Sequence, residues 1–307
     1  MSNLSDNIPL IIRWLNIIIG ILMFVLGIVG NCLNVYIFTR PVYRQATAVL
    51  YLLAGSIAGS IQLINTLLLR ILTDGFYVTI GAWNNQYCQS HYLIAWTASL
   101  CAITYPCWAS FDQFILTSRN PIIRLQWSSK RFIKLAILLT IIFWIILSIP
   151  LIVYTIAYNT NCIGSNPLIG YIYAYSIIPL GNVILPVILM AYFNIGIIRN
   201  LRDAPAAVIS NINKRMARQV HRMLISQSIV LILSGLPYVT QTLYATITGL
   251  MVKSQDRLAI ENLIGVITRL LFYLNYISSF YIYFLTSSEF RRIIIRLFRG
   301  EKNSLSS

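Results

Sequence analysis

The feature that most constrains this chain is the length of its stretches without a charged residue. Six stretches contain no Asp, Glu, Lys or Arg: 14–39, 45–69, 75–111, 135–198, 223–252 and 270–288. A helix needs about 20 residues to cross a hydrocarbon core, so each stretch can hold at least one crossing. Because 58% of the residues are apolar and only 10% are charged, the composition excludes a water-soluble globule.

The two longest stretches decide the number of crossings. The turn-rich run 159–167 cannot lie exposed in lipid, because its backbone groups would lack partners, so it separates two crossings in 135–198. The stretch 75–111 is too short for two crossings and a loop. We therefore predict an all-α membrane protein, with a bundle of seven helices over 13–286. The predicted spans are about 14–39, 45–69, 88–117, 132–154, 170–199, 217–248 and 260–286.

The basic residues predict the orientation of the bundle. Of the 23 Lys and Arg residues, 18 fall in alternate loops on one side, which the positive-inside rule makes cytoplasmic. Residues 1–12 are then an extracellular tail and residues 300–307 a cytoplasmic one. The net charge of +15 follows mostly from this topology, and nucleic acid is not an expected partner.

Two features lie at the ends of the chain. Apolar residues at 290, 293, 294, 297 and 298 alternate with arginines on the other face, which predicts an amphipathic helix over 287–299. Such a helix would lie on the inner leaflet and contact anionic membrane lipid. Asn3 begins an Asn-Leu-Ser sequon on the outer side, where it is either a glycosylation site or a chance match.

The cysteines follow the same topology. Cys88 and Cys162 are placed at the oxidising outer face, where they can pair. The other three cysteines are interpreted as small apolar side chains in helix faces. We expect no metal site, because His91 and His221 lie on opposite sides of the membrane and no Cys-x-x-Cys occurs.

Seven spans with this disulfide resemble the rhodopsin-like (class A) G-protein-coupled receptors, and single-residue matches run through every span. They are Gly30-Asn31, Leu53-Ala54, Trp83 in the first outer loop, Asp112 at the inner end of the third span, Trp144, Pro186, Pro237, and Tyr283 followed by Phe290-Arg291. The resemblance implies a plasma-membrane receptor that binds an extracellular ligand in its outer half. It also implies signalling to a heterotrimeric G protein through movement of helix six. The run Ser118 to Pro121 is similar to invertebrate peptide receptors, which implies a peptide ligand.

The departures from the family concern its switch residues. Gln113 stands where the family has the arginine of Asp-Arg-Tyr, and Ile57 where it has a sodium-binding aspartate. Gly235 replaces the helix-six tryptophan, and Asn194 replaces the helix-five tyrosine. A non-signalling binding or decoy relative is therefore open beside the signalling receptor. Pro237 next to Gly235 is interpreted as a hinge, or as a static shape of the helix.

Charged residues in the outer half indicate the ligand site. Arg269 interrupts the seventh span, where an ionisable side chain is costly and normally faces the bundle interior or water. Arg70, at the outer end of the second span, either faces inward too or extends to the surface. Facing inward, both arginines would bind a carboxylate or an acidic peptide. Glu261 would offset part of that charge from the rim.

Aromatic and hydroxyl side chains complete the predicted site, each as a ligand contact or as packing. They are Trp96 and Ser99 in the third span, Tyr238 and Thr242 in the sixth, and Tyr273 in the seventh. Ala95 stands where amine receptors have an aspartate, and Tyr273 where opsins have the retinal lysine, so monoamine and retinal ligands are disfavoured. The expected ligand is a peptide or an anionic small molecule.

Enzymatic chemistry is not expected. Asp112 is the only acidic residue near the inner end of a span, and no histidine faces a suitable serine, so we predict no catalytic residue and no cofactor. No internal repeat of the kind found in transporters is evident. The Gly55-x-x-x-Gly59 pattern indicates close helix packing.

Overall fold

The computed structural model describes residues 4–40, 46–78, 84–118, 120–158, 161–203 and 211–299. Six helices in these ranges are long and apolar enough to cross a membrane, and the chain is a multi-pass α-helical membrane protein. They are Asn7–Phe38, Ala48–Gly75, Lys130–Val153, Pro167–Asn200, Gln219–Ile247 and Gln255–Ile277. Asn3, Trp83 and residues 300–307 lie outside the described ranges.

Several of the α-helices adjoin short π-helical turns, which are wider than an α-helical turn. The α-helices are α1 Leu4–Trp14, α2 Gly20–Phe38, α3 Ala48–Gln62, α4 Asn85–Leu116, α5 Pro121–Trp127, α6 Lys130–Val153, α7 Pro167–Ile172, α8 Leu185–Asp203, α9 Asn211–Ile247, α10 Gln255–Ile277, α11 Ser279–Thr286 and α12 Ser288–Phe298. The π turns are Leu15–Ile19, Leu63–Leu68, Ile71–Gly75, Tyr173–Ile177 and Leu180–Ile184. The turn Leu15–Ile19 joins α1 to α2, and the residues on both sides of it keep helical backbone angles. Helices α1 and α2 therefore belong to one helical rod.

The first rod begins earlier than the charge pattern predicts. Most of the predicted tail 1–12 is helical, from Leu4 onward. Arg13, which ends the charge-free stretch, donates from Nε to the carbonyl of Gly75 at 3.0 Å and lies over the ring of Tyr77. Because the guanidinium of Arg13 has these protein partners, the first helical rod continues through this residue.

The turn-rich run after the fourth predicted span forms a hairpin. Strands β1 Thr155–Tyr158 and β2 Asn161–Gly164 are antiparallel, with Ala157 opposite Cys162. The pairing satisfies backbone groups that a loop next to lipid would leave unpaired. Cys88 and Cys162 form a disulfide with a Cα–Cα distance of 5.4 Å, which joins β2 to the start of α4.

Helix α4 lies at the centre of the bundle. It packs against α3, α6, α8 and α9, while α2 contacts α3 and α10, and α9 contacts α8 and α10. Its buried residues include Ser99, Ser110, Asp112 and Gln113, and α4 is not one of the six helices named above as long and apolar enough to cross a membrane. A helix surrounded by protein can carry such groups because neighbouring helices provide their partners.

Close helix contacts depend on small residues, as the Gly-x-x-x-Gly pattern predicts. A Cβ on Gly59 would lie 3.4 Å from the carbonyl oxygen of Tyr276 and 3.4 Å from Nδ2 of Asn31. Asn31 Nδ2 itself donates to that carbonyl at 3.0 Å. The glycine therefore lets α3 approach a polar contact between α2 and α10.

The C-terminal helix α12 packs back onto the bundle. Its residue Phe290 is fully buried and contacts the rings of Phe38 and Tyr283. Ser287 precedes the helix, and its hydroxyl accepts the backbone N–H of Phe290 at 3.2 Å. Arg291 donates to the carbonyl of Leu285 at 2.7 Å. The apolar face of this helix is thus partly covered by protein.

Candidate ligand-binding cavity

A cavity of about 390 Å³ lies between the ends of the helices that adjoin the disulfide. We call it the outer cavity. Its lining comes from α3 and the turns that follow it, α4, the turn Leu180–Ile184, α9, α10 and Cys162. The volume falls within the range of sites for drug-sized ligands.

Six of the seven predicted ligand residues line the outer cavity: Arg70, Trp96, Ser99, Tyr238, Arg269 and Tyr273. Thr242 does not line it, and its role in ligand binding stays a prediction. Its hydroxyl donates to the carbonyl of Tyr238 at 2.8 Å, one turn back on the same helix. Hydroxyl side chains inside helices commonly bond their own backbone in this way.

Arg269 has no acidic partner among the described residues. Its side chain is half-buried in the cavity wall, close enough to Arg70 for the two guanidinium groups to repel each other. The nearby polar groups are the hydroxyls of Tyr238 and Tyr273 and the carboxylate of Asp74. The cavity therefore holds a cation whose charge is not fully balanced.

Arg70 faces the outer cavity with a weak partner. Its Nη1 lies 3.4 Å from Oδ2 of Asp74, and the two side chains are 47% and 33% exposed. Asp74 also accepts the hydroxyl of Thr73 at 3.2 Å. A single long contact between exposed groups is worth at most about 1 kcal/mol, so an anion in the cavity can compete for Arg70.

Glu261 does not offset the charge of the cavity, in contrast to the prediction. It bonds the ammonium of Lys253, Nε of Arg257 at 2.9 Å and the hydroxyl of Tyr244 at 2.8 Å. The three donors come from the loop before α10, from α10 itself and from α9. Glu261 thereby links the end of α9 to the start of α10 through hydrogen bonds and ion pairs.

A hydrogen-bonded group and aromatic rings form the inner part of the cavity. Ser99 hydrogen-bonds the hydroxyl of Tyr276 at 2.7 Å and donates to Oδ1 of Asn182 at 3.4 Å. The rings of Tyr238 and Phe272 are stacked, with centroids 4.6 Å apart. A ligand would meet a flat apolar wall beside a few fixed polar groups.

Sequence reasoning missed several cavity residues, among them Gln62, Asp74, Asn182 and Phe272. Asp74 lies four residues after Arg70, a spacing that places both on one helix face. Gln62 and Asn182 are isolated polar residues within long apolar stretches, and such residues tend to face the bundle interior. These signals were present in the sequence.

A second polar region lies at the other end of α4. Asp112 accepts the hydroxyl of Thr47 at 2.7 Å and that of Ser128 at 2.6 Å. Gln113 is buried, and its Oε1 has no hydrogen-bond partner in the part of the chain that the structure describes. The neutral side chain at this position is thus enclosed rather than exposed.

Helix α9 is held to its neighbours near this region. Tyr283 donates to Oε1 of Gln227 at 2.8 Å, and Gln219 donates to the hydroxyl of Ser288 at 3.0 Å. Asn194 contacts Ser228 at 3.5 Å. These contacts link α9 to α8, α11 and α12, while the helix stays continuous through Pro237.

Of the adjacent residues Ser56 and Ile57 on α3, Ser56 is the buried one. Ile57 is 46% exposed and faces away from the bundle, whereas the hydroxyl of Ser56 accepts Nδ2 of Asn34 at 3.2 Å. Asn34 Nδ2 also donates to Ser279 at 3.0 Å. Of these two residues, Ser56 is therefore the one that takes part in the polar contacts between helices.

Comparison of the chain with models of protein families found no match, and comparison with curated proteins found none either.

Proposed function

We propose that the protein is a receptor of the rhodopsin-like type. It binds an extracellular ligand in the outer cavity and signals to a heterotrimeric G protein through movement of α9. The observation that carries the proposal is Arg269, a half-buried cation without an acidic partner among the described residues, in a cavity of ligand size.

The proposal requires that α4 also crosses the membrane, which brings the six long apolar helices to seven crossings. A helix of 32 residues is about 48 Å long, which exceeds the roughly 30 Å hydrocarbon core. Its central position accounts for the polar residues that it buries. The chain then lies in the plasma membrane with its N-terminus outside and its C-terminus inside, and α12 contacts the inner leaflet. The disulfide at the outer end agrees with this orientation, since disulfides form in oxidising compartments.

The ligand class follows from the charges. Arg70 and Asp74 offset each other, and Arg269 adds one positive charge. A peptide with a free carboxylate, or an anionic small molecule, would balance that charge and stack against the aromatic wall. We expect neither a catalytic step nor a cofactor in this function.

Movement of α9 would connect the cavity to the cytoplasmic side. Tyr238 lines the cavity one residue after Pro237, and Gln227 contacts Tyr283 ten residues before the proline. Because Pro237 lacks a backbone N–H, the helix bends there at low cost. A ligand that shifts Tyr238 would therefore act on the inner contacts.

A binding protein that does not signal is the second candidate. It is favoured by Gln113, which is neutral, buried and unable to offer the cationic contact of the family's arginine. On this alternative the outer cavity still binds its ligand, and the inner end no longer engages a G protein.

The experiment compares wild type with Gln113→Arg at matched surface expression, using a panel of G-protein sensors and a pooled peptide library. A wild-type response that Arg269→Gln removes is the expected result. Silence of the wild type with a response of Gln113→Arg would establish the non-signalling alternative. Silence of both, with no library binding that depends on Arg269, would refute the proposed function.

A further inference from the structure

Gln62 is a buried amide in the wall of the outer cavity. Its side chain lines the cavity and is 7% exposed, and its Oε1 accepts no hydrogen bond from any group in the described part of the chain. A buried amide oxygen without a donor is costly, and native proteins contain few of them. The cavity wall therefore contains an unmet acceptor, which a rotation of the Gln62 amide would present to a ligand.

Gln62 shares one helical face with the charged end of the cavity. The residues of this segment that line it are Gln62, Thr66, Leu69, Arg70, Thr73 and Asp74. Their spacing follows the period of a helix. Arg70 follows Gln62 by eight residues, which is on the order of 10 Å along the helix because Leu63–Leu68 is a wider π turn. The cavity thus has a cationic end at Arg70 and an uncharged polar end at Gln62. The distance between the two ends suits an elongated small molecule.

The other walls suit an elongated organic molecule. Trp96 and Phe272 line the same cavity, and the Phe272 ring is stacked on Tyr238. Apolar contacts of this kind give affinity, while the few polar groups determine orientation.

We propose that Gln62 forms a deep subsite for the hydrogen-bonding end of an elongated organic monoanion, whose carboxylate lies near Arg269 and Arg70. The inference rests on the proposed function, because it takes Arg269 as the anchor of the ligand. Asp74 limits the ligand to one negative charge, since Arg70, Asp74 and Arg269 together carry a single net positive charge.

The test uses two probes that differ in one hydroxyl group, 4-phenylbutanoate and 4-(4-hydroxyphenyl)butanoate. Their dissociation constants are measured by calorimetry on the purified full chain, for wild type, Gln62→Met and Arg269→Gln. Gln86→Met is the matched control, because Gln86 is exposed and does not line the cavity. Gln62→Leu replaces the methionine variant if that variant does not fold, as judged by circular dichroism.

The hydroxylated probe is expected to bind wild type and Gln86→Met about tenfold more tightly than its partner. Gln62→Met removes that difference and leaves the affinity for 4-phenylbutanoate unchanged, whereas Arg269→Gln weakens both probes equally. If both probes need Arg269 but the hydroxyl gives no advantage, or keeps it in Gln62→Met, the deep subsite is wrong and the anion site stands. If binding of neither probe depends on Arg269, the proposed ligand site fails together with the subsite.

Discussion

The contact between Gly235 and Val183 offers a test of how closely α9 packs against the turn Leu180–Ile184. A Cβ on Gly235 would lie 2.7 Å from Cγ2 and 3.4 Å from Cγ1 of Val183, which is 1% exposed and has no room to retreat. Overpacking of this kind costs about 1–3 kcal/mol, and the gain in helix propensity returns about 1 kcal/mol. Gly235→Ala should lower the free energy of unfolding by about 1 kcal/mol.

Two further variants separate the cost of overpacking from the gain in helix propensity. Val183→Ala removes both Cγ atoms and leaves its Cβ at 3.6 Å, an ordinary contact, so Gly235→Ala in that background should stabilise by about 1 kcal/mol. Gly265→Ala is the matched control, because a Cβ there meets only Nε2 of Gln241 at 3.9 Å. This variant should stabilise by about 0.5–1 kcal/mol.

The assay is denaturant unfolding of the detergent-solubilised protein, followed by tryptophan fluorescence. The double-mutant cycle should give a coupling energy of about 2 kcal/mol between positions 183 and 235. Additive effects within about 0.5 kcal/mol would refute the close approach of these two elements.

Three other perturbations follow from single contacts. Cys88→Ala should lower the free energy of unfolding by up to about 4 kcal/mol, because the disulfide closes a loop of 74 residues, and a thiol label should then modify Cys162. Asp112→Ala should cost about 2 kcal/mol in the same unfolding assay, since the hydroxyls of Thr47 and Ser128 lose their acceptor, and Asp112→Asn should cost less. Glu261→Gln should leave probe affinity at Arg269 unchanged in calorimetry, because Glu261 bonds Lys253 and Arg257 instead; a change above about threefold would contradict this geometry.

Most of the membrane-length helices could be predicted from charge alone. Charged side chains are expensive in lipid, so four of the stretches without them cover most of five long apolar helices, whereas 270–288 overlaps only the last eight residues of Gln255–Ile277. The ends of the helices could not be predicted in this way. Arg13 lies inside the first rod because Gly75 and Tyr77 provide its partners, and such tertiary contacts have no trace in the local sequence.

The candidate site was predictable in part. Arg70 and Arg269 stand out in the sequence because each is a charge at the border of an apolar stretch. Thr242 lies outside the cavity lining and its hydroxyl bonds a backbone acceptor on its own helix, while Glu261 is bound by Lys253 and Arg257. Which of two adjacent residues faces inward, as with Ser56 and Ile57, depends on helix rotation.

The most direct test of the central claim, a cationic ligand cavity open to the outside, measures how fast a cysteine at position 95 reacts. Ala95 lines the cavity, and the background variant Cys32→Ser removes the free cysteine that is exposed. Intact cells bearing Ala95→Cys are treated with an anionic or a cationic methanethiosulfonate of similar size. We expect faster reaction with the anionic reagent, and Arg269→Gln should remove that preference. No reaction from outside, or faster reaction with the cationic reagent, would contradict the account.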